Sequence, residues 1–250
     1  MKKTIASLAL AAITMGGFHA HAQVPMLEDV SLGMTQSFES EYIFRGFQEG
    51  RRVYQSSVDA ALPMGAGTLY TEAWGSFPVQ GAAQGWNELN LIAGYSVPVE
   101  LVNIDVGFTY YWFPERGFIA DRNREKEVYV GVGFDTILNP EIYVFHNFSI
   151  DAWIVEASIG HNYPLDEVLS LDLRAKAGTA KASDMNSDQS PGKPSESWNY
   201  YQLSADLVYA LNEITTLSVG GRFAKIQGEP ADYTPSTDQL WWGGSISMAF

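Results

Sequence analysis

Cysteine is absent from the 250 residues, which excludes disulfides, thiolate metal sites and cysteine nucleophiles. Histidine is scarce, with four in all, so a histidine metal centre or imidazole catalysis has few residues to draw on. Positive charge is also short: 15 Lys and Arg face 29 Asp and Glu, a net charge of −14. A nucleic-acid binder needs the opposite balance, so DNA and RNA are excluded as partners. Charged residues of both signs reach only 18%, below the roughly one quarter usual in soluble domains. No apolar run approaches the ~18 residues of a spanning helix. What the chain has in quantity is glycine (23) and aromatic side chains (13%). That profile suits an all-β protein.

The chain begins MKKTIASLALAAITMGGFHAHA. Lys2 and Lys3, the apolar stretch Ile5 to Met15 and the small-x-small sequence Ala20-His21-Ala22 have the order of a secretory signal peptide. The expectation is cleavage after Ala22, with residues 1–22 as signal and 23–250 as the mature domain. Removing two lysines and no acid takes the net charge to −16 and leaves His146 and His161 as the histidines. An exported chain without a spanning helix is a periplasmic or secreted domain, or an outer-membrane barrel. The C-terminus QLWWGGSISMAF favours the barrel: Leu240, Trp242, Ile246, Met248 and Phe250 share one parity, while Gln239, Ser245, Ser247 and Ala249 share the other. Such alternation up to the last residue is what a barrel-closing strand requires. Its terminal Phe250 resembles the assembly signal by which the barrel-assembly machinery engages outer-membrane proteins.

The same alternation recurs along the chain. Val102, Ile104, Val106, Phe108, Tyr110 and Trp112 oppose Asn103, Asp105, Gly107, Thr109 and Tyr111; Leu169, Leu171, Leu173, Ala175 and Ala177 oppose Ser170, Asp172, Arg174 and Lys176. Twelve such segments can be counted, starting at Val30 and with a second strand at Tyr54–Leu62. In the seventh, Glu141 to Asn147, apolar residues sit on both parities. Breaks after even strands are tight, as at Pro63-Met64-Gly65 and Pro98-Val99-Glu100. Several breaks after odd strands are long and polar, as from Pro114 to Arg124, from Thr179 and from Lys225. Short turns at one end and long loops at the other predict an antiparallel up-and-down transmembrane β-barrel of about 12 strands, in contact with outer-membrane lipid.

A membrane barrel puts its apolar face outward and its polar face inward. The apolar face ends repeatedly in aromatics (Tyr42 and Phe44, Tyr95, Phe108 to Trp112, Tyr201, Tyr209, Trp242), as interfacial girdles do. The polar parity then names the pore-lining residues. The acids are Glu39, Glu41, Asp59, Glu72, Glu88, Asp105, Glu127, Glu156, Asp172 and Asp206, and the bases are Arg45, Arg174, Lys176 and Arg222. Ten acids against four bases cannot all pair, and a shortfall of that kind points to water in the lumen. An acidic lumen favours cations. The expectation is passive diffusion of cations or small polar solutes, with a constriction near Glu39, Glu41 and Arg45.

The segment EYIFRG (Glu41 to Gly46), with Gln55, GTLYTEAWGSFPV (Gly67 to Val79) and ELNLIAGYSV (Glu88 to Val97), resembles the TorF-like porin family of proteobacterial outer membranes. FHNFSIDAWIVEASIGHNY (Phe145 to Tyr163) is a second region of likeness. The resemblance implies an outer-membrane barrel with porin activity and no stated substrate. Two other classes remain open on the residues alone. A non-conducting structural or adhesive barrel would use its polar loops, with Asp121, Arg122, Arg124, Asp184, Asp188 and Asp232. A barrel hydrolase would need His146 or His161, and neither has a catalytic spacing. No catalytic residue, cofactor or metal is expected; SDMNSDQS (Ser183 to Ser190) misses the calcium-loop pattern.

Overall fold

The computed structural model describes residues 30–81, 85–114, 123–183, 196–228 and 236–250. The signal-peptide expectation, and the loop residues Asp121, Arg122, Asp184, Asp188 and Asp232, lie outside them. Twelve strands follow in chain order: β1 (Ser31–Phe44), β2 (Phe47–Met64), β3 (Gly67–Pro78), β4 (Glu88–Val99), β5 (Val102–Trp112), β6 (Arg124–Phe134), β7 (Glu141–Asn147), β8 (Ala152–Pro164), β9 (Leu169–Ala182), β10 (Glu196–Ala210), β11 (Thr215–Gly228) and β12 (Asp238–Ala249). Each pairs antiparallel with its chain neighbours, and β1 pairs with β12 to close the barrel. Closure satisfies every strand edge, which is the condition for crossing lipid with strands. At the seam, Leu32 and Phe250 exchange both backbone hydrogen bonds, at 3.1 and 2.8 Å.

Connection lengths divide the barrel into two ends. On the side of the termini, the connections are 65–66, 100–101, 135–140, 165–168 and 211–214; on the other they include 79–87, 113–123, 183–195 and 229–237. Two outer connections are short. One is 148–151; the other is a two-residue turn, Arg45-Gly46, where the sequence pattern suggested a loop reaching Tyr54. The reason for the difference is a β-bulge between Tyr42 and Ile43, which lets the polar run from Gln48 to Arg52 pair with β1 out of the apolar rhythm. Arg45 and Gly46 both have positive φ, 49° and 91°, the geometry of a type I′ hairpin turn.

Faces alternate as a membrane barrel demands. Val106, Phe108 and Trp112 on β5, Leu203, Leu207 and Tyr209 on β10, and Leu240 and Trp242 on β12 are exposed on the outer surface, whereas Asp105, Thr109, Asp172 and Ser247 are buried inside. The inward row also explains the seventh strand. Glu141, Tyr143, Phe145 and Asn147 oppose inward residues of β6 and β8, so Tyr143 and Phe145 are apolar residues of the lumen. The first hairpin corrects a second reading: Tyr42 is buried and packs tilted on Trp74 at 5.5 Å, and Phe44 lies 6.2 Å from the buried Tyr111. Neither belongs to an outer girdle.

Glycine makes the interior fit. Tyr70 faces Gly94, Tyr129 faces Gly107, Tyr143 faces Gly131 and Tyr200 faces Gly178 directly across strand pairs. At each of these glycines a Cβ would collide with the opposing tyrosine ring. The missing side chain lets the aromatic lie flat against the wall, filling a narrow lumen without pushing strands apart.

Candidate functional site

The functional site of a barrel is its lumen, and the outer half of this one is packed. Tyr143, Phe145, Ala152, Ile154, Ala180, Ala182, Trp198, Tyr200 and Ile226 form one buried cluster, with Phe47, Tyr129 and Ile150 against it. The β1–β2 turn tip is folded into this cluster. A Cβ on Gly46 would come within 2.9 Å of Ile226 Cβ and 3.1 Å of Tyr200 Cβ. Trp198 Nε1 donates to the Arg45 carbonyl at 3.2 Å, and Gln239 Nε2 donates to that of Gly46 at 3.3 Å.

From that tip the Arg45 side chain crosses to the opposite wall. Its two terminal nitrogens donate to both oxygens of Glu127 on β6, at 2.7 and 2.9 Å, and Tyr111 Oη donates to the same carboxylate at 3.0 Å. The guanidinium lies 4.5 Å from the Phe145 ring centre and 4.8 Å from that of Phe44. Arg45 is 8% exposed and Glu127 0%. A bidentate, cation-π-flanked pair is the arrangement in which burial of two charges is best compensated. The cavity beside it, lined by Ile43, Phe44, Arg45, Phe145, Glu156, Lys176 and Gln202, measures about 10 Å³, room for roughly one water.

Around and below this layer the wall is polar. Arg222 Nη2 lies 3.0 Å from Asp206 and 3.4 Å from Glu39. Arg174 donates to Asp172 at 2.9 Å with half its side chain exposed. Lys176 meets Glu156 at 3.0 Å, and Tyr200 Oη donates to that carboxylate at 2.7 Å. Asp105 accepts from Tyr70 at 2.8 Å and Tyr143 at 3.1 Å, and Tyr70 and Tyr129 share a hydroxyl bond of 2.6 Å. Asp59 and Glu72 are direct cross-strand partners, which sets two carboxylates side by side. Glu88 accepts from Asn90 Nδ2 at 2.9 Å, and Glu41 from Gln48 Nε2 at 2.9 Å.

Of these residues Glu39, Glu88, Asp105, Glu127, Asp172 and Arg222 are buried inside, Asp59, Glu72, Glu156, Arg174, Lys176 and Asp206 follow the inward parity of their strands, and Arg45 reaches in from its turn; Glu41 is half-buried near the rim. Register adds Glu125, Glu141 and Glu196, opposite the inward residues Tyr111, Ser158 and Ala182. Strand parity extended to the strand ends carries that signal. Arg51, the cross-strand partner of Glu41, stays exposed at the rim. What parity could not deliver is the apolar layer, because Phe145, Ile154, Trp198 and Ile226 break the rule that inward means polar. His146 and His161 face outward. His146 lies 3.4 Å from Asp151, between Phe148 and Trp153; His161 Nδ1 is 2.5 Å from the Ile137 carbonyl. Among the described residues neither meets a serine hydroxyl, and no three His, Asp or Glu are placed to hold a metal ion.

The family model "Bacterial protein of unknown function (Gcw_chp)" matches residues 25–237. No curated protein matches the chain by sequence. Among solved structures, the NanC porin superposes with a TM-score of 0.50 at 10% identity, covering 88% of this chain and 98% of its own. The KdgM porin in complex with disordered oligogalacturonate gives 0.50 at 9% identity, covering 88% and 99%. LpxR from Salmonella typhimurium gives 0.50 at 10% identity, covering 87% and 99%. At these identities the likeness is one of fold: a closed twelve-stranded barrel of the outer-membrane kind.

Proposed function

Because this chain belongs to the Gcw_chp family of bacterial proteins of unknown function, we propose its activity from the geometry of its lumen: an outer-membrane channel for cations or small polar solutes, closed at its outer mouth by the Arg45 turn. What supports this reading is the charge that strand parity assigns to the inward face. Among the described residues, strand parity turns twelve carboxylates inward, with Arg45, Arg174, Lys176 and Arg222 as the bases among them. Such a wall attracts cations and repels anions by simple electrostatics. It does not suit a polyanion such as the oligogalacturonate of the KdgM complex. Passage requires the Arg45 side chain to leave Glu127 and the turn to lift from the Phe145–Trp198 layer.

The export signal cleaved after Ala22, outer-membrane location and engagement of the barrel-assembly machinery through Phe250 belong to the same reading, as does the TorF-like porin resemblance. No catalysis is assigned. The test is single-channel recording of the purified barrel in planar bilayers under a salt gradient. A reversal potential of cation sign supports the channel; anion preference overturns it. A second reading, a non-conducting structural barrel, is favoured by the buried Arg45–Glu127 pair. Absence of current in both the wild-type protein and an Arg45→Ala variant would establish it.

A further inference from the structure

One sector of the outer wall carries charge where a lipid-facing surface should carry none. At the long-loop end of β5 and β6, Tyr110 pairs with Lys126 and Trp112 with Arg124. One step below, Val128, His146, Trp153 and Lys181 form a continuous outward row from β6 to β9. Arg124, Lys126 and Lys181 are exposed, and among the described residues none of their side chains is held by an acid. Trp112, Phe148 and Trp153 are exposed beside them. Asp151, on the 148–151 turn, is 61% exposed and lies against His146.

Elsewhere on this end the outward cations are tied: Lys225 to Asp238 at 3.0 Å and Arg52 to Gln80 at 2.9 Å. At the opposite end the exposed turn residues Glu100, Asp135, Asp166, Glu167 and Glu213 are acidic. Unpaired cations at a lipid boundary are costly unless the lipid supplies the counter-charge. Long loops mark the end that faces out of the cell, so that lipid belongs to the outer leaflet. Lys126 and Lys181 stand three strands apart, roughly 14 Å at the usual inter-strand spacing. One phosphodiester cannot reach both, whereas a headgroup carrying two or more phosphates can.

We propose that this sector binds a multiply phosphorylated, multiply acylated glycolipid of the outer leaflet, lipopolysaccharide. Arg124, Lys126 and Lys181 take its phosphates, Trp112 and Trp153 lie against its sugars, and the exposed Val130, Ile142 and Val155 run beside its acyl chains. The site rests on the membrane reading but not on conduction, since none of these residues faces the lumen.

The experiment titrates lipopolysaccharide into the full barrel in non-ionic detergent and reads binding by native mass spectrometry. The proteins are the wild type, the Arg124→Ser/Lys126→Ser/Lys181→Ser variant and a Lys225→Ser control, each checked for folding by the heat-dependent gel shift. Each cation near an anionic surface contributes roughly fivefold in affinity. The triple variant should therefore bind about a hundredfold more weakly while the control binds as the wild type does. Dephosphorylated lipopolysaccharide should bind weakly to all three. Equal binding by the triple variant, or equal affinity of the wild type for phosphatidylglycerol, would overturn the proposal. Release of the protein from cells without detergent would instead sink the membrane reading, and this site with it.

Discussion

Arg45, at the tip of the first hairpin, and Glu127, on the far wall of the barrel, form a bidentate ion pair across the lumen at 2.7 and 2.9 Å. The pair does two things at once. It holds the turn inside the barrel, and it sets the guanidinium against the buried apolar cluster that includes Phe145. Because Glu127 is fully buried, the carboxylate has no water to fall back on when its partner is lost.

Arg45→Ala should therefore destabilise the barrel by about 3 kcal/mol, the cost of stranding a buried charge, and at the same time raise its conductance. Urea unfolding in vesicles measures the first and single-channel current the second. Adding Glu127→Gln should restore part of the stability while leaving the current high. Unchanged conductance in both variants would mean that the turn does not gate the lumen.

Much of this architecture is legible in the amino acids. β5 and β9 alternate so regularly that face, length and direction follow from the period alone, and twelve strands follow from counting. Three features are not legible, for physical reasons. The first hairpin slips register between Tyr42 and Ile43 and turns its tip into the barrel with no composition cue, so Tyr42 reads as lipid-facing when it packs on Trp74. Phe145, Ile154, Trp198 and Ile226 are inward apolar residues, which period analysis counts as ambiguity because the rule assumes a wet lumen. The Arg45–Glu127 contact joins residues 82 apart and exists only once the barrel closes.

The four tyrosine–glycine pairs make a second prediction. Gly131→Val would drive a side chain into the Tyr143 ring and displace the hydroxyl that donates to Asp105. Overpacking of this kind costs ~1–3 kcal/mol. The unfolding midpoint of the variant should fall accordingly, and truncation of Tyr143 to Ala in the same chain should recover part of the loss. If Gly131→Val alone unfolds like the wild type, the ring is free to move and the pairing is not structural.

Charge selectivity should reside in the acids of β2, β3 and β5. Asp59 and Glu72 are cross-strand partners, and Asp105 on β5 is buried among tyrosines. Replacing all three by Asn, Gln and Asn removes three negative charges and leaves the polar wall in place. The reversal potential under a salt gradient of about tenfold should move toward zero, since the acidic lining is what favours cations. A reversal potential identical to the wild type would place selectivity in the loops instead.

Phe250 closes the barrel as well as ending the chain. Its N–H donates to the Leu32 carbonyl at 2.8 Å and its carbonyl accepts from the Leu32 N–H at 3.1 Å, so the last residue completes the ladder between β12 and β1. Deleting it removes two hydrogen bonds at the seam, together with the aromatic that the assembly reading assigns to the barrel-assembly machinery. The two roles separate by substitution. Phe250→Ala keeps both backbone bonds, so the purified, refolded variant should unfold close to the wild type while its yield in the outer membrane drops. Deletion of Phe250 should lower both. If Phe250→Ala accumulates in the membrane at wild-type level, the ring has no part in assembly, and Phe250 acts through its backbone alone.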